Sequence, residues 1–137
     1  HVSLNGRPCR VNDINTSSPQ AIVDVSGLSY HPKKHILNPI KLVTGLTDEG
    51  YRVTIHQSIC ICSAMVASGE FAANIANVNS AVDVAAAKLI VEQAGGKVTD
   101  LFGNEQRYDQ PTQGAIVSNG KLHEKLVQIA STSRVSS

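Results

Sequence analysis

The fold of this chain is constrained most by one segment, SAVDVAAAKLIVEQAGGKVTD, which runs from Ser80 to Asp100. Its alanines and branched aliphatic residues favour a helix with a broad apolar face. Ser80 stands where it would cap the start of this helix, with Asp83 three residues later as in a capping box. The pair Gly95-Gly96 predicts the helix end, because glycine readily adopts the left-handed conformation required there. The segment therefore predicts a helix at 81–94 that leads directly into a strand.

Strand and helix patterns alternate along the rest of the chain. The Asn5-Gly6 pair predicts a β-hairpin within residues 2–11, because this dipeptide favours the tight turn that joins two strands. Asn38-Pro39 predicts a helix that begins at Pro39, since the fixed φ of proline suits the first turn. Other strands are predicted at 21–25, 51–56, 71–76, 97–100 and 114–118, and helices at 39–46, 58–67 and 122–130. This alternation predicts a layered α/β fold with helices on both faces of a sheet.

The composition fits one globular domain over residues 1–137. Hydrophobic residues make up 42% of the chain and charged residues 17%, which at 137 residues is enough to build a core. A formal net charge of +1 argues against a nucleic-acid partner held by bulk electrostatics. No apolar run is long enough to cross a bilayer, so we expect no membrane partner. The Ser-rich tail at 131–137 is predicted to fray.

Three cysteines are present, an odd number. Cys60 and Cys62 lie in the apolar run SICICSAMVA, and both are predicted to be buried as small hydrophobic residues. Their C-x-C spacing matches no common zinc pattern. A reducing, cytoplasmic location is therefore the default expectation.

Two motifs within the opening segment carry a resemblance to a known family. They are Val82-Asp83-Val84-Ala85-Ala86-Ala87 and Ala94-Gly95-Gly96. Together they resemble the second signature of the inositol monophosphatase family, the lithium-sensitive, magnesium-dependent phosphatases, although Val82 and Ala87 replace the usual tryptophan and glycine. Further similar segments are Leu4 to Pro8, Val66 to Gly69, Lys97 to Gly103 and Ala115 to Gly120. The resemblance implies an α/β fold with a mixed sheet and helices on both faces (α/β/α layers), as in the C-terminal domain of that family.

The resemblance also implies a functional site. In the family the signature aspartate is a metal ligand, which assigns Asp83 to Mg²⁺. The alternative is that Asp83 only stabilises the helix dipole, as acids in a first turn commonly do. Ser58 matches a hydroxyl position of the family, whereas Ala76 stands where a sugar-contacting glutamate is usual. The polar residues near that position are the other candidates for substrate contact: Asn74, Asn77 and Asn79.

The family's first signature, D-P-I/L-D-G-T, and its glutamate-bearing G-E-x motif do not occur in this sequence. We therefore expect this chain to be the C-terminal domain of a longer Mg²⁺-dependent phosphomonoesterase, inactive by itself. The expected partners are a small phosphorylated metabolite, the missing N-terminal domain and a second copy of the parent protein in a homodimer. The hairpin and the N-terminus of the signature helix are expected to form the surface that meets the missing domain. Alternatives are a relative that acts on fructose bisphosphate or a 3'-phosphonucleotide, or a non-catalytic α/β binding or dimerisation module.

Overall fold

The structure, a computed structural model, describes residues 3–27, 36–77, 81–106, 108–109 and 113–135. Its first element is the predicted hairpin, in which Asn5 and Gly6 form the turn with φ angles of 53° and 79°. Positive φ at both central positions matches the right-handed twist of the strands that the turn joins. Within the described residues the strands are Ser3–Leu4 (β1), Arg7–Pro8 (β2), Ile22–Ser26 (β3), Arg52–Thr54 (β4), Ala73–Ala76 (β5), Lys97–Thr99 (β6) and Ala115–Ser118 (β7), and the helices are Pro39–Asp48 (α1), Ile59–Ala67 (α2), Ala81–Gln93 (α3) and His123–Thr132 (α4).

A mixed sheet forms the centre of the fold. In the described parts of the chain its order is β4-β3-β5-β7-β6. Strands β4, β3 and β5 are parallel, whereas β7 is antiparallel to both β5 and β6. The carboxyl ends of β3, β4 and β5 therefore lie at the same edge of the sheet.

Helices cover both faces of this sheet, which confirms the predicted α/β/α layers. On one face, α1 and α4 bury Leu42, Leu46 and Leu126 in a core with Val23 and Val25 of β3. On the other face, α2 and α3 form a second core, which includes Cys62, Val66, Val84, Val91 and Val117. Because successive strand residues point to opposite faces, each central strand contributes to both layers.

The signature helix ends as the sequence predicts. α3 stops at Gln93, and Gly95 follows with a φ of 94°. Gly96 is required for a different reason, since a Cβ there would lie against the carbonyl of Ser118 and the side chain of Val91. Gly95 therefore ends the helix, and Gly96 allows close contact with β7. Ser80, the predicted cap, lies outside the described residues.

The C-terminal segment from Ser131 to Val135 is not a frayed tail as predicted. α4 continues to Thr132, and Ser133 is buried. The carbonyl of Ser133 accepts a hydrogen bond of 2.7 Å from the Asn38 amide, and the Val135 amide donates to the Ile36 carbonyl. Pairing with the segment before α1 therefore holds this end of the chain.

One further expectation, the burial of Cys60, is corrected by the structure. Cys62 is buried, but Cys60 is exposed. Residues two apart on a helix point about 200° from each other, so both could not face the same core. The hairpin segment meets the C-terminal end of α3, where the Val11 amide donates to the Ala94 carbonyl. The N-terminus of α3 lies about 20 Å away along the helix, and an interface that includes both remains a prediction.

No helix within the described residues has both the length and the apolar character that a bilayer span requires.

Candidate functional site

A cleft of about 340 Å³ opens at the carboxyl edge of the parallel strands. Its wall consists of residues 26–27 at the end of β3, residues 57–60, which lead from the loop after β4 into the first turn of α2, and Asp83 of α3. In open α/β sheets, ligands commonly bind outside the carboxyl ends of the strands. The wall includes Asp83 and Ser58, two residues singled out in the sequence, and we call this cavity the Asp83 cleft.

Ser58 belongs to this cleft and also begins α2. Its backbone is extended, and its Oγ accepts a hydrogen bond of 3.3 Å from the Ile61 amide, as an N-cap residue does. The first turn of α2 faces the cleft through Ile59 and Cys60. A helix N-terminus presents backbone N–H groups and a partial positive charge, which favours an anion such as phosphate.

Asp83 lies in the first turn of α3, where it is half-buried, and it is the one acidic residue in the described wall. The structure thus brings the predicted metal ligand together with Ser58 and the N-terminus of α2. Mg²⁺ takes oxygen ligands and keeps several of its waters. The carboxylate of Asp83 and the hydroxyl of Ser58 supply oxygen ligands of this kind, so the cleft fits that ion, with a single protein charge to hold it.

Gln57 shapes the rim of the cleft, and reasoning from the sequence did not single it out. Its amide oxygen accepts a hydrogen bond of 3.0 Å from the backbone N–H of Gly27, which links the ends of two wall segments. Its φ is 47°, an uncommon value for a residue other than glycine. The left-handed backbone turns the chain sharply from β4 into α2 and places Ser58 at the start of the helix.

Asn74 and Asn77 do not line the cleft; both are buried and hold the fold together. Nδ2 of Asn74 donates to Asp24 Oδ2 and to Ser26 Oγ, each at 3.0 Å. Asn77 accepts from the amides of Ile36 and Leu37 at 3.1 and 3.0 Å. Asn77 also donates to the Leu37 carbonyl at 2.9 Å, so its amide anchors this segment beside the end of β5. The remaining candidate, Asn79, lies outside the described residues.

Ala76, at the position of the family's sugar-contacting glutamate, is fully buried at the end of β5. It pairs with Ser26 on one side and Ala115 on the other. Its methyl group belongs to the core under α2 and α3. No contact with a sugar is available from this side chain.

Asp24 is a buried acid that sequence reasoning missed. It lies in the middle of β3 with no solvent exposure, and it faces α2, where strand alternation would place an apolar residue. Thr54 Oγ1 and His56 Nδ1 lie 2.7 and 2.6 Å from Asp24 Oδ1, and the Cys62 thiol donates to Oδ2 at 3.0 Å. The signal available in the sequence was an acid inside the apolar run AIVDV.

Known proteins are similar to this chain in sequence and in fold. The family model described as the inositol monophosphatase family matches residues 2–134. A bifunctional NADP phosphatase/NAD kinase of Methanococcus maripaludis is 39% identical over 84 residues, which cover 57% of this chain and 15% of that protein. A fructose-1,6-bisphosphatase/inositol-1-monophosphatase of Methanothermobacter thermautotrophicus is 39% identical over 83 residues, which cover 56% of this chain and 30% of that protein.

Solved structures share the fold. The IMPase of Thermotoga maritima superimposes with a TM-score of 0.76 at 26% identity, covering 93% of this chain and 46% of its own. The inositol monophosphatase of Anabaena (Nostoc) sp. PCC 7120 gives 0.79 at 26% identity, covering 94% and 52%. This chain therefore spans about half of these two structures and a smaller part of the two curated relatives.

Proposed function

Because this chain belongs to the inositol monophosphatase family, we propose that it forms the C-terminal domain of a Mg²⁺-dependent phosphomonoesterase that acts on a small phosphorylated metabolite. The observation that carries the proposal is the meeting of Asp83 and the N-terminus of α2 in one cleft. One of these groups holds a cation and the other attracts an anion, and a phosphatase site needs both within reach of the same phosphate.

Each wall residue has a role that follows from its placement. The Asp83 carboxylate holds the metal ion from the first turn of α3. The Ser58 hydroxyl and the first amides of α2 orient the phosphate. When bound, Mg²⁺ supplies charge stabilisation to phosphate oxygens and activation of water.

Asp83 is the one carboxylate that the described wall contributes, and this supports the proposal that the activity is shared with another part of the protein. One carboxylate competes poorly with water for Mg²⁺, which surrenders its hydration shell reluctantly. The other ligands would come from an N-terminal domain, and the complete protein is proposed to be a homodimer. The isolated 137-residue chain is accordingly expected to bind Mg²⁺ only weakly and to turn over no phosphate ester.

The substrate is proposed only as a phosphomonoester. The relatives are named for NADP, fructose-1,6-bisphosphate and inositol-1-phosphate, which have a phosphate ester in common but differ in the rest of the molecule. The buried Ala76 removes the family's usual sugar contact, which leaves fructose bisphosphate and 3'-phosphonucleotides as alternatives to inositol phosphate.

The test is the Asp83→Asn substitution in the full-length protein. Asparagine keeps the size and suits a helix start, so the fold should remain while phosphate release falls at least a hundredfold. Asp48→Asn, the same change at an exposed position of α1, is the control and should leave turnover unchanged. Phosphate release is measured over a panel of inositol, fructose and nucleotide phosphates, with Mg²⁺ titrated.

Two results would overturn the proposal. Near-normal turnover of the Asp83→Asn variant at saturating Mg²⁺ would show that Asp83 only stabilises the start of α3. Absence of hydrolysis across the panel in the unmodified full-length protein would favour the non-catalytic module. Turnover by the isolated chain that Asp83→Asn abolishes would instead show that this chain holds a complete site.

A further inference from the structure

Three different metal-binding side chains meet beneath the N-terminus of α2. They are Asp24 of β3, His56 after β4 and Cys62 of α2, and one ligand atom of each lies within 4.8 Å of the other two. None of them lines the Asp83 cleft. The fold assembles them from three separate segments, so no motif spacing in the sequence shows the group, which we call the Asp24 cluster.

The carboxylate of Asp24 is held by hydrogen-bond donors and, within the described residues, by no lysine or arginine. It is fully buried, and its two oxygens contact five side chains: Ser26, Thr54, His56, Cys62 and Asn74. A buried carboxylate requires a cation or a full set of hydrogen bonds, because it has lost its water. Hydrogen bonds meet this requirement here, and two of the five side chains, His56 and Cys62, are themselves metal-ligand types.

We propose that Asp24, His56 and Cys62 bind a zinc-class divalent ion through three protein ligands, with a fourth position open to water. A thiolate, an imidazole and a carboxylate are the ligand types that zinc takes in proteins, and three protein ligands plus water form a common arrangement. The thiolate and imidazole disfavour Mg²⁺, which prefers oxygen ligands throughout. This site is thus distinct in chemistry from the Asp83 cleft.

Hydrogen bonds that do not involve His56 or Cys62 already hold the carboxylate in place. Thr54 Oγ1 donates to Oδ1 at 2.7 Å, and Asn74 Nδ2 donates to Oδ2 at 3.0 Å. Ser26 Oγ adds a third at 3.3 Å. An ion would displace only the contacts from His56 and Cys62, while the other three donors kept Asp24 oriented. Such hydrogen bonds to a ligating carboxylate are usual in metal sites.

The cluster is open to solvent on one side, and binding a metal ion there requires the loss of one thiol proton. The His56 side chain is 53% exposed, so the imidazole forms the entrance and the water-bearing side. The Cys62 thiol must lose its proton to become a ligand. Burial is the largest reason why the pKa of Cys62 is raised to about 12, and hydrogen bonding to Asp24 adds to it. Zinc binding would release this proton to solvent, while the proton on His56 Nδ1 moves to Nε2, so each ion bound releases one proton.

The experiment titrates Co²⁺, a spectroscopic substitute for zinc, into the reduced 137-residue chain. A thiolate-to-cobalt charge-transfer absorption should appear, saturate at one ion per chain and be lost when Zn²⁺ is added, while millimolar Mg²⁺ leaves it unchanged. Cys62→Ser should abolish the band. Cys60→Ser is the matched control on the same helix, and because Cys60 is exposed and outside the cluster it should keep the full band.

His56→Gln provides a second variant at a half-exposed position, where misfolding is not expected. It should weaken Co²⁺ and Zn²⁺ binding at least tenfold, and Zn²⁺ should raise the Tm of the unmodified chain but not that of the Cys62→Ser variant. Asp83→Asn should leave the band unaltered, which separates this site from the proposed phosphatase site. Absence of the band, an equal band in Cys62→Ser, or its loss in Cys60→Ser would each overturn the proposal.

Discussion

Acidification should destabilise this protein through a single buried histidine, His123 at the start of α4. The ring is 1% exposed and lies between two hydroxyls, with Nδ1 2.7 Å from Ser118 Oγ and Nε2 2.8 Å from Thr99 Oγ1. Thr99 donates its own proton to the Asp100 carbonyl, so Thr99 Oγ1 accepts from Nε2–H. Nδ1 then accepts from Ser118 in the neutral tautomer, and a second ring proton would force the Ser118 hydroxyl to turn its own proton away.

The sign of the effect follows from the pKa of His123. Burial is the main cause that lowers it from 6.5 to about 4, and the nearby Lys97 adds to the shift. Between these two values the unfolded chain binds a proton that the folded chain excludes. The stabilisation from neutral His123 is therefore complete above pH 6.5 and is lost as the pH falls toward 4. At pH 5 the loss relative to pH 8 amounts to about 2 kcal/mol, rising to about 3 kcal/mol below pH 4.

The measurement is the free energy of unfolding by urea between pH 5 and pH 8. The His123→Gln variant cannot titrate, so its stability should fall about 2 kcal/mol less than that of the unmodified chain across this range, whatever its stability at neutral pH. Lys97→Gln should shrink the effect slightly, because the like charge is removed, whereas Lys41→Gln on α1 should leave it unaltered. An NMR titration of the His123 ring with a midpoint near 6.5 in the folded protein would refute the reasoning. An equal dependence of the free energy of unfolding on pH in His123→Gln and in the unmodified chain would refute it as well.

Three further predictions concern packing and reactivity. Gly96→Ala should lower the free energy of unfolding by about 1–3 kcal/mol, because its Cβ would meet the rigid carbonyl of Ser118. Gly45→Ala, whose Cβ would approach only the Cγ2 methyl of Ile129, should cost less than about 1 kcal/mol in the same urea titration. Asn77→Ala should lower the free energy of unfolding by about 1–3 kcal/mol, because the amides of Ile36 and Leu37 lose their acceptor. KM of the full-length protein should stay within twofold in this variant, and a large increase in KM would show that Asn77 contacts substrate. Alkylation at pH 8 followed by peptide mass spectrometry should modify Cys60 much faster than Cys62, since Cys62 is buried and its pKa is about 12; equal rates would contradict this structure of α2.

Local interactions are what the sequence reveals well. The hairpin turn at Asn5-Gly6, the start of α1 at Pro39 and the end of α3 at Gly95 depend on the φ preferences of the residues themselves. The alternation of strand and helix predicted the layers, because the spacing of apolar residues places them on one face of each element, and that face must be buried. Asp83 was found through a motif that occupies a single helix and its ends.

Boundaries and exposure were less predictable. The sequence suggested a fraying tail from Ser131, but that tail is held by residues 36–38, nearly a hundred positions away. Cys60 and Cys62 share an apolar run, and the orientation of α2 decided that only one of them is buried. Both outcomes depend on which neighbour an element meets, and short-range patterns carry no information about that.

The candidate sites were decided by tertiary structure. Ser58 and Asp83 share a cleft because β3, β4 and β5 run parallel, which gathers the segments that follow them at one edge of the sheet. The same topology unites Asp24 with His56 and Cys62, more than thirty residues further along the chain. The sequence by itself determined the helices, turns and the signature aspartate, whose causes lie within a few residues. Only the fold decided which distant polar side chains meet, because strand order and the crossing of α2 over the sheet are set by burial of the whole apolar surface.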